Sequence, residues 1–559
     1  MKPHKLFLVA ATVCGLLGSS AHVAEAAKKS TKSSKDAQIE ALVRRLEILE
    51  QRLAVSEGKG QTQDSAATSK TANLAGADIP AVKQLDQKFK VLERKLEVNK
   101  EAADEEKKTA SKFSIGSEGF KWSSADNSYQ FRLRGLINAD SSFYLDDSVK
   151  GAAGLNNTTA AGPATPIPVN GLGIDRFQVS RARIISSGTL AKYTDFLITT
   201  EFGSLSSGGP SIFDALIDLR YFTFASLTAG KQKGPVGLER LQDVSKMTFM
   251  TFGYPTQLAP NRDIGIMLHG EFTAPGRDRK SSNGQASNFK DLFQYQAGVF
   301  NGTADNQNPA NTTTASYDNK EFQGRIFAHP FQLTDINALQ GFGLGLAGTY
   351  GQPKGLTPVN LQSPSQNVIV TYNTGTALNG DHHRLLPQGY WYYGPFGVFT
   401  EYAISWQTLT SATSSTVKQR TINQQNTAWQ VAASYVLTGE DNTYQGVIPR
   451  KPFDPFNGGW GALQFGARWD ELGVDKNTFT NIGTTKTPFY GFANPAGSVK
   501  NATSWTVGFN WYLNNNVKIV ADYEQTYFKG GAASALSTPS PVMNRPMERV
   551  FFTRFQVAF

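Results

Sequence analysis

The chain is predicted to be all-β, a transmembrane antiparallel β-barrel of about 16 strands preceded by a short α-helical coiled-coil segment. Three observations predict it. In the last strand, Arg549 to Phe559, the residues Phe551, Phe555, Val557 and Phe559 share one face while Arg554 and Gln556 point to the other. From Phe113 onward, segments of roughly ten residues alternate in polarity and are separated by Gly, Asn, Pro and Asp, the repeated signature of barrel strands. Although 40% of the 559 residues are hydrophobic, the long apolar run lies at the N-terminus and no transmembrane helix is expected after it. A soluble β-sandwich strand would share the two-residue period. An ending on the aromatic of such a strand is expected instead to act as an outer-membrane assembly signal, carried by Phe555, Val557 and Phe559.

Taken in order, Lys2 and Lys5 precede the apolar stretch Leu6 to Gly18, and Ala24-Glu25-Ala26 supplies a small-x-small cleavage site. Residues 1–26 are therefore expected to be a secretory signal peptide. Cys14, the single cysteine, falls within it, so neither disulfides nor thiolate metal sites are expected in the mature chain. Residues 27–112 turn to Lys, Glu, Ala, Ser and Gln. Within them Ile39, Leu42, Leu46, Leu49 and Leu53 repeat at heptad spacing, as do Val82, Leu85, Phe89, Leu92 and Leu96. Each run covers about three heptads, short for an isolated coiled coil. A homo-oligomeric periplasmic stalk is the preferred reading over a single helix lying on another surface. Gly58 to Ala77, rich in small residues, reads as a flexible break between the two helices.

Residues 113–559 are expected to form the barrel. Arg132, Arg134, Asn138 and Asp140 share a face opposite Phe131, Leu133, Ile137 and Ala139, and a face of that charge cannot meet lipid. Ala215, Ile217, Leu219 and Tyr221 likewise oppose Asp218 and Arg220. Arg181 and Arg183 must also avoid lipid, yet Phe177 and Val179 have the same parity. Either a bulge shifts the register or the strand begins after Val179. Tyr402, Trp406, Trp469 and Trp511 suit an interfacial girdle near strand ends. The polar stretches Lys150–Asn170, Thr303–Asp318, Gln352–Gln388 and Gly530–Pro546 are expected to be extracellular loops, the opposite turns being short.

Several segments resemble the phosphate-selective porin O and P family: Phe177 to Arg183, Gly230 to Glu239, Gly389 to Gly397 with Glu401-Tyr402, and Tyr435 to Glu440 followed by Tyr444 and Lys451-Pro452-Phe453-Asp454-Pro455. Asn510-Trp511-Tyr512 and Arg554-Phe555-Gln556 agree with it too. The resemblance runs in order from about Phe113 to Phe559. It implies a trimeric, 16-stranded outer-membrane channel, in some members selective for phosphate or polyphosphate. It also implies that the stretch Pro235 to Arg262 includes a loop folding inward to narrow the pore, bringing Glu239, Arg240, Asp243, Lys246 and Arg262 to the constriction. Those charges either select ions or simply hold the loop in place.

A basic track of Arg132, Arg134, Arg181, Arg183, Arg220, Lys231, Lys233, Arg325 and Arg468 is expected along the lumen, Arg offering forked donors suited to phosphate oxygens. No dense lysine cluster stands where the family comparison seeks one. Acidic residues of matching parity, Asp140, Asp195, Glu201, Asp214, Asp218, Glu401 and Asp470, offset the track. The formal charge of +9 gives little guidance, since only +4 belongs to residues 113–559.

An enzyme reading would need a nucleophile or carboxylate beside a positioned histidine. Beyond the signal peptide the histidines are His269, His329, His382 and His383. His269 reads as a lumenal polar residue and Asp381-His382-His383 as a loop tip. No catalysis, metal, cofactor or nucleic-acid partner is expected. The expected function is passive diffusion of small hydrophilic solutes, biased to anions such as phosphate. The expected partners are a homotrimer, outer-membrane lipid, the barrel-assembly machinery and small anions as permeants. An alternative is an envelope tether with the barrel as anchor, in which the basic stretch Lys28 to Lys35 would touch peptidoglycan.

Overall fold

A strand whose alternate residues are apolar and charged is stable only with a different environment on each face. A closed sheet around a polar interior provides this in a membrane, where an open edge would leave peptide groups without partners. The computed structural model has this form. It describes residues 110–145, 175–203, 209–273, 291–302, 318–411, 413, 417–484, 488–533 and 542–559, together with scattered positions between 87 and 101. The expected signal peptide and the apolar positions of both heptad runs lie outside the described residues. The described residues near the second run, including Val91, Arg94, Glu97 and Val98, are helical and exposed. The chain divides into two compact units, Met1–Glu97 and Val98–Phe559.

In the second unit a short antiparallel hairpin, β1 (Lys112–Gly116) and β2 (Gly119–Ser123), precedes the wall. The wall opens with β3 (Gln130–Tyr144), β4 (Arg176–Leu190), β5 (Thr194–Glu201), β6 (Ser211–Phe222), β7 (Ala225–Lys233) and β8 (Arg262–Thr273). It continues through β9 (Asp291–Phe300), β10 (Glu321–Ala328) and β11 (Phe342–Gly351). Three short strands follow, β12 (Lys354–Leu356), β13 (Leu361–Gln362) and β14 (Val368–Val370). Long strands resume with β15 (Ala377–Tyr393), β16 (Phe396–Thr410), β17 (Thr421–Val436), β18 (Ala462–Gly473), β19 (Val499–Tyr512) and β20 (Val517–Ala533). After β21 (Val542–Asn544), the last strand β22 (Glu548–Ala558) pairs antiparallel with β3, from Val550↔Tyr144 to Ala558↔Leu136. Sixteen described strands, β3–β11, β15–β20 and β22, thereby close into an antiparallel barrel.

The closing seam extends past the last strand residue. Phe559 donates its N–H to the Gly135 carbonyl at 3.0 Å and accepts from the Gly135 N–H at 2.8 Å. Gly135 must lack a side chain there, because a Cβ would lie 2.5 Å from the Phe559 ring. Phe120 of β2 meets the same ring edge-on at 6.2 Å. Phe555 and Val557 point outward on β22, while Arg554 and Gln556 point inward and are buried.

The two faces separate as the alternation requires. Outward lie Ile184, Ile198, Ile217, Ile266, Val299, Ile326, Leu344, Val431 and Phe465, all exposed. Inward lie Asn138, Gln430, Gln464, Asp470, Asn510, Asp522 and Glu524, all buried. The conflict at Arg181 is resolved by a bulge: Asn138 pairs with Arg181 and Ala139 with Val179, so Ser180 is the extra residue. Phe177 and Val179 stay outside while both arginines turn in. A second bulge at Phe213 places Ile212 outside and Asp214 inside.

Several expectations need correction. The stretch Gln352–Gln388 is a loop only to residue 376, because its second part belongs to β15. There Leu378, His382, Leu386 and Gln388 face inward and are buried, and polar residues on an inward face read in sequence as loop. His382 and His383 are thus strand residues, and His383 stacks on Trp406 at 4.9 Å. The start of Gly530–Pro546 likewise belongs to β20. Tyr402 and Trp469 lie within their strands, whereas Trp511 joins Phe453 and Trp460 in an aromatic cluster beside the β19–β20 turn. The turns at the end where β3 begins and β22 finishes are also not uniformly short, since the 437–461 connection lies there.

Placing a guanidinium on the outward face is expected to test the assignment. Ile217→Arg should cost roughly 2–4 kcal/mol at the bilayer midplane, measured by denaturant titration of barrel folded into liposomes. The same substitution at inward Thr228 should cost far less.

Candidate functional site

Between β7 and β8 the chain crosses the lumen instead of turning on the rim. Gly237, at φ +89°, lets it reverse into a helical turn at Leu238–Leu241, and Pro255 opens a second turn at Pro255–Leu258. A backbone inside a barrel has little water, so its N–H and C=O groups need protein partners. The wall supplies carboxylates for the N–H groups. Leu238 donates to Glu401 at 2.6 Å, Met250 to Asp522 at 2.6 Å and Tyr254 to Asp470 at 3.2 Å, and the Thr251 hydroxyl donates to Glu524 at 2.9 Å. Donors serve the carbonyls. Lys233 reaches those of Arg240 and Gln242, Lys518 that of Met247, Asn510 that of Thr248, and Gln556 that of Ser245.

The centre of this clamp is Arg468. Fully buried, it lies 3.6 Å from Glu239 on the loop, 3.8 Å from Asp470 and 3.5 Å from Glu524, donates to the Thr251 carbonyl at 2.7 Å, and covers Phe249. Burial holds the Glu239 carboxyl above its ordinary range, against the pull of Arg468. Glu239 and Arg468 are therefore taken up in holding the loop. On its apolar side Val236, Tyr254 and Leu258 join Leu361, Ile369, Val370 and Tyr372 of the 352–376 connection and Phe479 and Phe492 of the 474–498 connection in one core. Part of the lumen is thus filled.

The 437–461 connection enters from the other end. Tyr444 donates its hydroxyl to the Leu238 carbonyl at 2.6 Å, accepts at its own carbonyl from Gln242 at 2.6 Å, and stacks on Tyr390 at 5.3 Å. Gly446, at φ +87°, lies against Lys246. The sequence signal was the Tyr435 to Pro455 segment, whose inward position its composition does not reveal.

The basic residues fall into three groups. In the first, a continuous set acts electrostatically from neighbour to neighbour: Lys246 and Arg554 on Lys518, Arg554 and Arg183 on Arg181, then Arg262 on both Arg183 and Lys233, with Arg240 on Lys233. Six carboxylates accompany these eight cations, and two of the six, Asp522 beside Lys518 and Arg554 and Glu239 beside Arg240, also hold the loop. Arg554 meets Asp140 at 2.7 Å, Arg183 meets Glu201 at 2.6 Å and Arg262 meets Asp214 at 2.8 Å. The sixth, Asp243, accepts from Ser245 and lies near Lys233 and Lys246. Burial pulls its carboxyl up, but these hydrogen bonds and cations bring it below its usual range. Phe213, turned inward by its bulge, sits between the Arg183 and Arg262 guanidiniums at 4.8 Å from each. Arg181 makes no ion pair among the described residues, and its guanidinium lies 3.2 Å from the Asn138 side-chain amide, which accepts from it once the amide is oriented with its oxygen toward the arginine.

The second group lies elsewhere in the lumen. Arg325 covers Phe327 at 4.6 Å and bonds Gln296, Lys231 faces inward and is buried, and Arg134 shares the inward parity of Asn138. The third is at the rim where β3 begins and β22 finishes; there Arg132 pairs with Glu118 at 3.2 Å and Arg220 with Asp195 at 2.5 Å. Lys518, Asp522, Glu524 and Arg384 are lumenal residues that the sequence analysis does not single out. Their alternation with outward residues on β15 and β20 is the available signal. His269 bonds Asp218 at 2.9 Å and His382 lies 3.3 Å from Ser405. Among the described residues no cluster suited to a metal ion occurs.

Removing the clamp's cation is expected to release the loop. Arg468→Met leaves three buried carboxylates unpaired, a change of roughly 3–5 kcal/mol, and should appear as larger and noisier single-channel conductance.

No curated relative matches the chain. Among solved structures it is similar to OmpTΔL8, a loop-deletion mutant of an outer membrane protein of Vibrio cholerae, at 12% identity and TM-score 0.42, covering 77% of this chain and 100% of that one. It is also similar to the outer membrane channel DcaP of Acinetobacter baumannii, at 9% identity and TM-score 0.42, covering 77% and 98%. A family model matches residues 170–530, which contain most of the wall, the inward loop and the Tyr444 segment. The chain belongs to the phosphate-selective porin O and P family.

Proposed function

We propose that the protein is a passive outer-membrane channel for small hydrophilic solutes, biased toward anions. Family membership supports the channel, and points to transport rather than catalysis. The bias rests on one observation: eight cations succeed one another beside the inward loop, from Lys246 to Arg240, against six carboxylates, of which Asp522 and Glu239 are taken up in holding the loop. In a narrow passage with low-dielectric walls, that excess sets the potential a passing ion meets, and guanidiniums replace part of an oxyanion's hydration. Arg181 is the member best placed to exchange partners with an ion.

The same reading takes the protein as a homotrimer with the long connections outward and residues 27–112 in the periplasm. The barrel-assembly machinery and outer-membrane lipid are its partners during insertion. The outward Phe555 and Val557, with Phe559 at the seam, support their role as the assembly signal.

In a planar bilayer under a KCl gradient, the zero-current potential is expected to have the anion-selective sign. Arg181→Glu should lower the anion-to-cation permeability ratio at least about threefold. A cation-selective potential from the unaltered protein would overturn the bias. Phosphate titrated against chloride current separates a phosphate site, which blocks, from a general anion preference, which does not.

A further inference from the structure

Above the inward loop, on the side of the long connections, lies a cavity of about 710 Å³ bounded by residues 252–263, the 352–376 connection and the inner faces of β10, β15, β16 and β17. This volume falls within the roughly 300–1,000 Å³ usual for small-molecule sites. Its chemistry differs from that of the cationic set. Ten of its lining residues are Asn or Gln, twice the number of Asp, Glu, Lys and Arg.

The charges present are largely committed. Arg384 meets Glu321 at 2.9 Å, Asp263 accepts from the Gly302 N–H at 2.6 Å, and Arg240 donates to the Thr256 carbonyl at 2.5 Å. Several amides are held at one end and open at the other. Gln257 is fixed through its oxygen, which accepts from the Gln362 N–H at 3.3 Å, and Asn360 through its oxygen, which accepts from the Tyr372 N–H at 3.0 Å. Neither NH2 group makes a hydrogen bond among the described residues. Gln407 is fixed the other way, its NH2 donating to Gln424 and to the Tyr372 hydroxyl. The wall thus offers two positioned donors and one acceptor oxygen, with Leu356, Val359 and the half-buried Phe252 as apolar surface between them.

Neutral donors and acceptors set among apolar patches suit a solute with hydroxyl groups on its edge and C–H groups on its faces. We propose that this vestibule binds a neutral saccharide of two or three rings before it meets the cationic narrowing. The inference rests on the channel reading and not on the anion bias.

The test is maltotriose added to each side of a single full-length channel in KCl, with a polyethylene glycol of matched size as comparison. Maltotriose is expected to interrupt the current, with half-saturation in the millimolar range from the long-connection side, while the polymer does not. Gln257→Leu with Gln407→Leu should raise the half-saturation concentration at least about tenfold while KCl conductance stays unchanged. Absence of block at about 100 mM, or equal block by the polymer, would overturn the inference while ion conduction stands. Absence of conductance altogether would instead overturn the channel reading.

Discussion

The rest of the molecule depends on the hydrogen-bonded seam between β22 and β3. Sixteen strands that did not meet would leave two rows of peptide groups facing hydrocarbon, each lacking a partner at a cost of several kcal/mol. Once the seam closes, every wall strand has two neighbours and the sheet divides space into an apolar outside and a polar inside. The Gly135–Phe559 pair carries the seam to the last residue, and the β1–β2 hairpin continues pairing along β3 beyond it.

The interior this creates resembles a protein core with the polarity reversed. Gln430, Gln464, Asp470, Asn510, Asp522 and Glu524 are as buried as Leu386 or Ala403. Buried polar groups are tolerated only when partnered, and the inward loop provides the partners because its own backbone has the same need. Wall carboxylates take loop N–H groups, and wall Lys, Arg and amide groups take loop carbonyls. Fixing the loop and satisfying the wall are one arrangement, with Arg468 at its centre.

That arrangement divides the charged residues into those that build and those that face the passage. Arg468 and Glu239 build; Lys233 caps loop carbonyls while also belonging to the cationic set. Arg183 and Arg262 are paired yet stack on Phe213, which keeps both guanidiniums aligned along one wall. Three of the acidic residues that share lumenal parity offset cations of this set in specific pairs: Asp140 with Arg554, Glu201 with Arg183, Asp214 with Arg262. Arg181, one bulge away from the outward Val179, has no such pair among the described residues.

By itself the sequence determined, for strands such as β3 and β22, which residues face lipid and which face the lumen, because a two-residue period and the cost of charge in hydrocarbon act locally. Arg132, Arg134, Asn138 and Asp140, or Phe555 against Arg554, could be sorted without coordinates. Strand number was legible from length, and the place of the inward loop from resemblance. Only the tertiary structure decided what the lumenal residues do. Whether an inward arginine clamps a loop, pairs with a carboxylate or faces the passage depends on which distant strand or loop lies opposite it. Glu401 and Leu238, Asp522 and Met250, or Tyr444 and Leu238 are far apart along the chain, and no local pattern records that they meet. The bulges at Ser180 and Phe213 belong to the same class, since one extra residue reverses every side chain beyond it and its position is settled by pairing across strands.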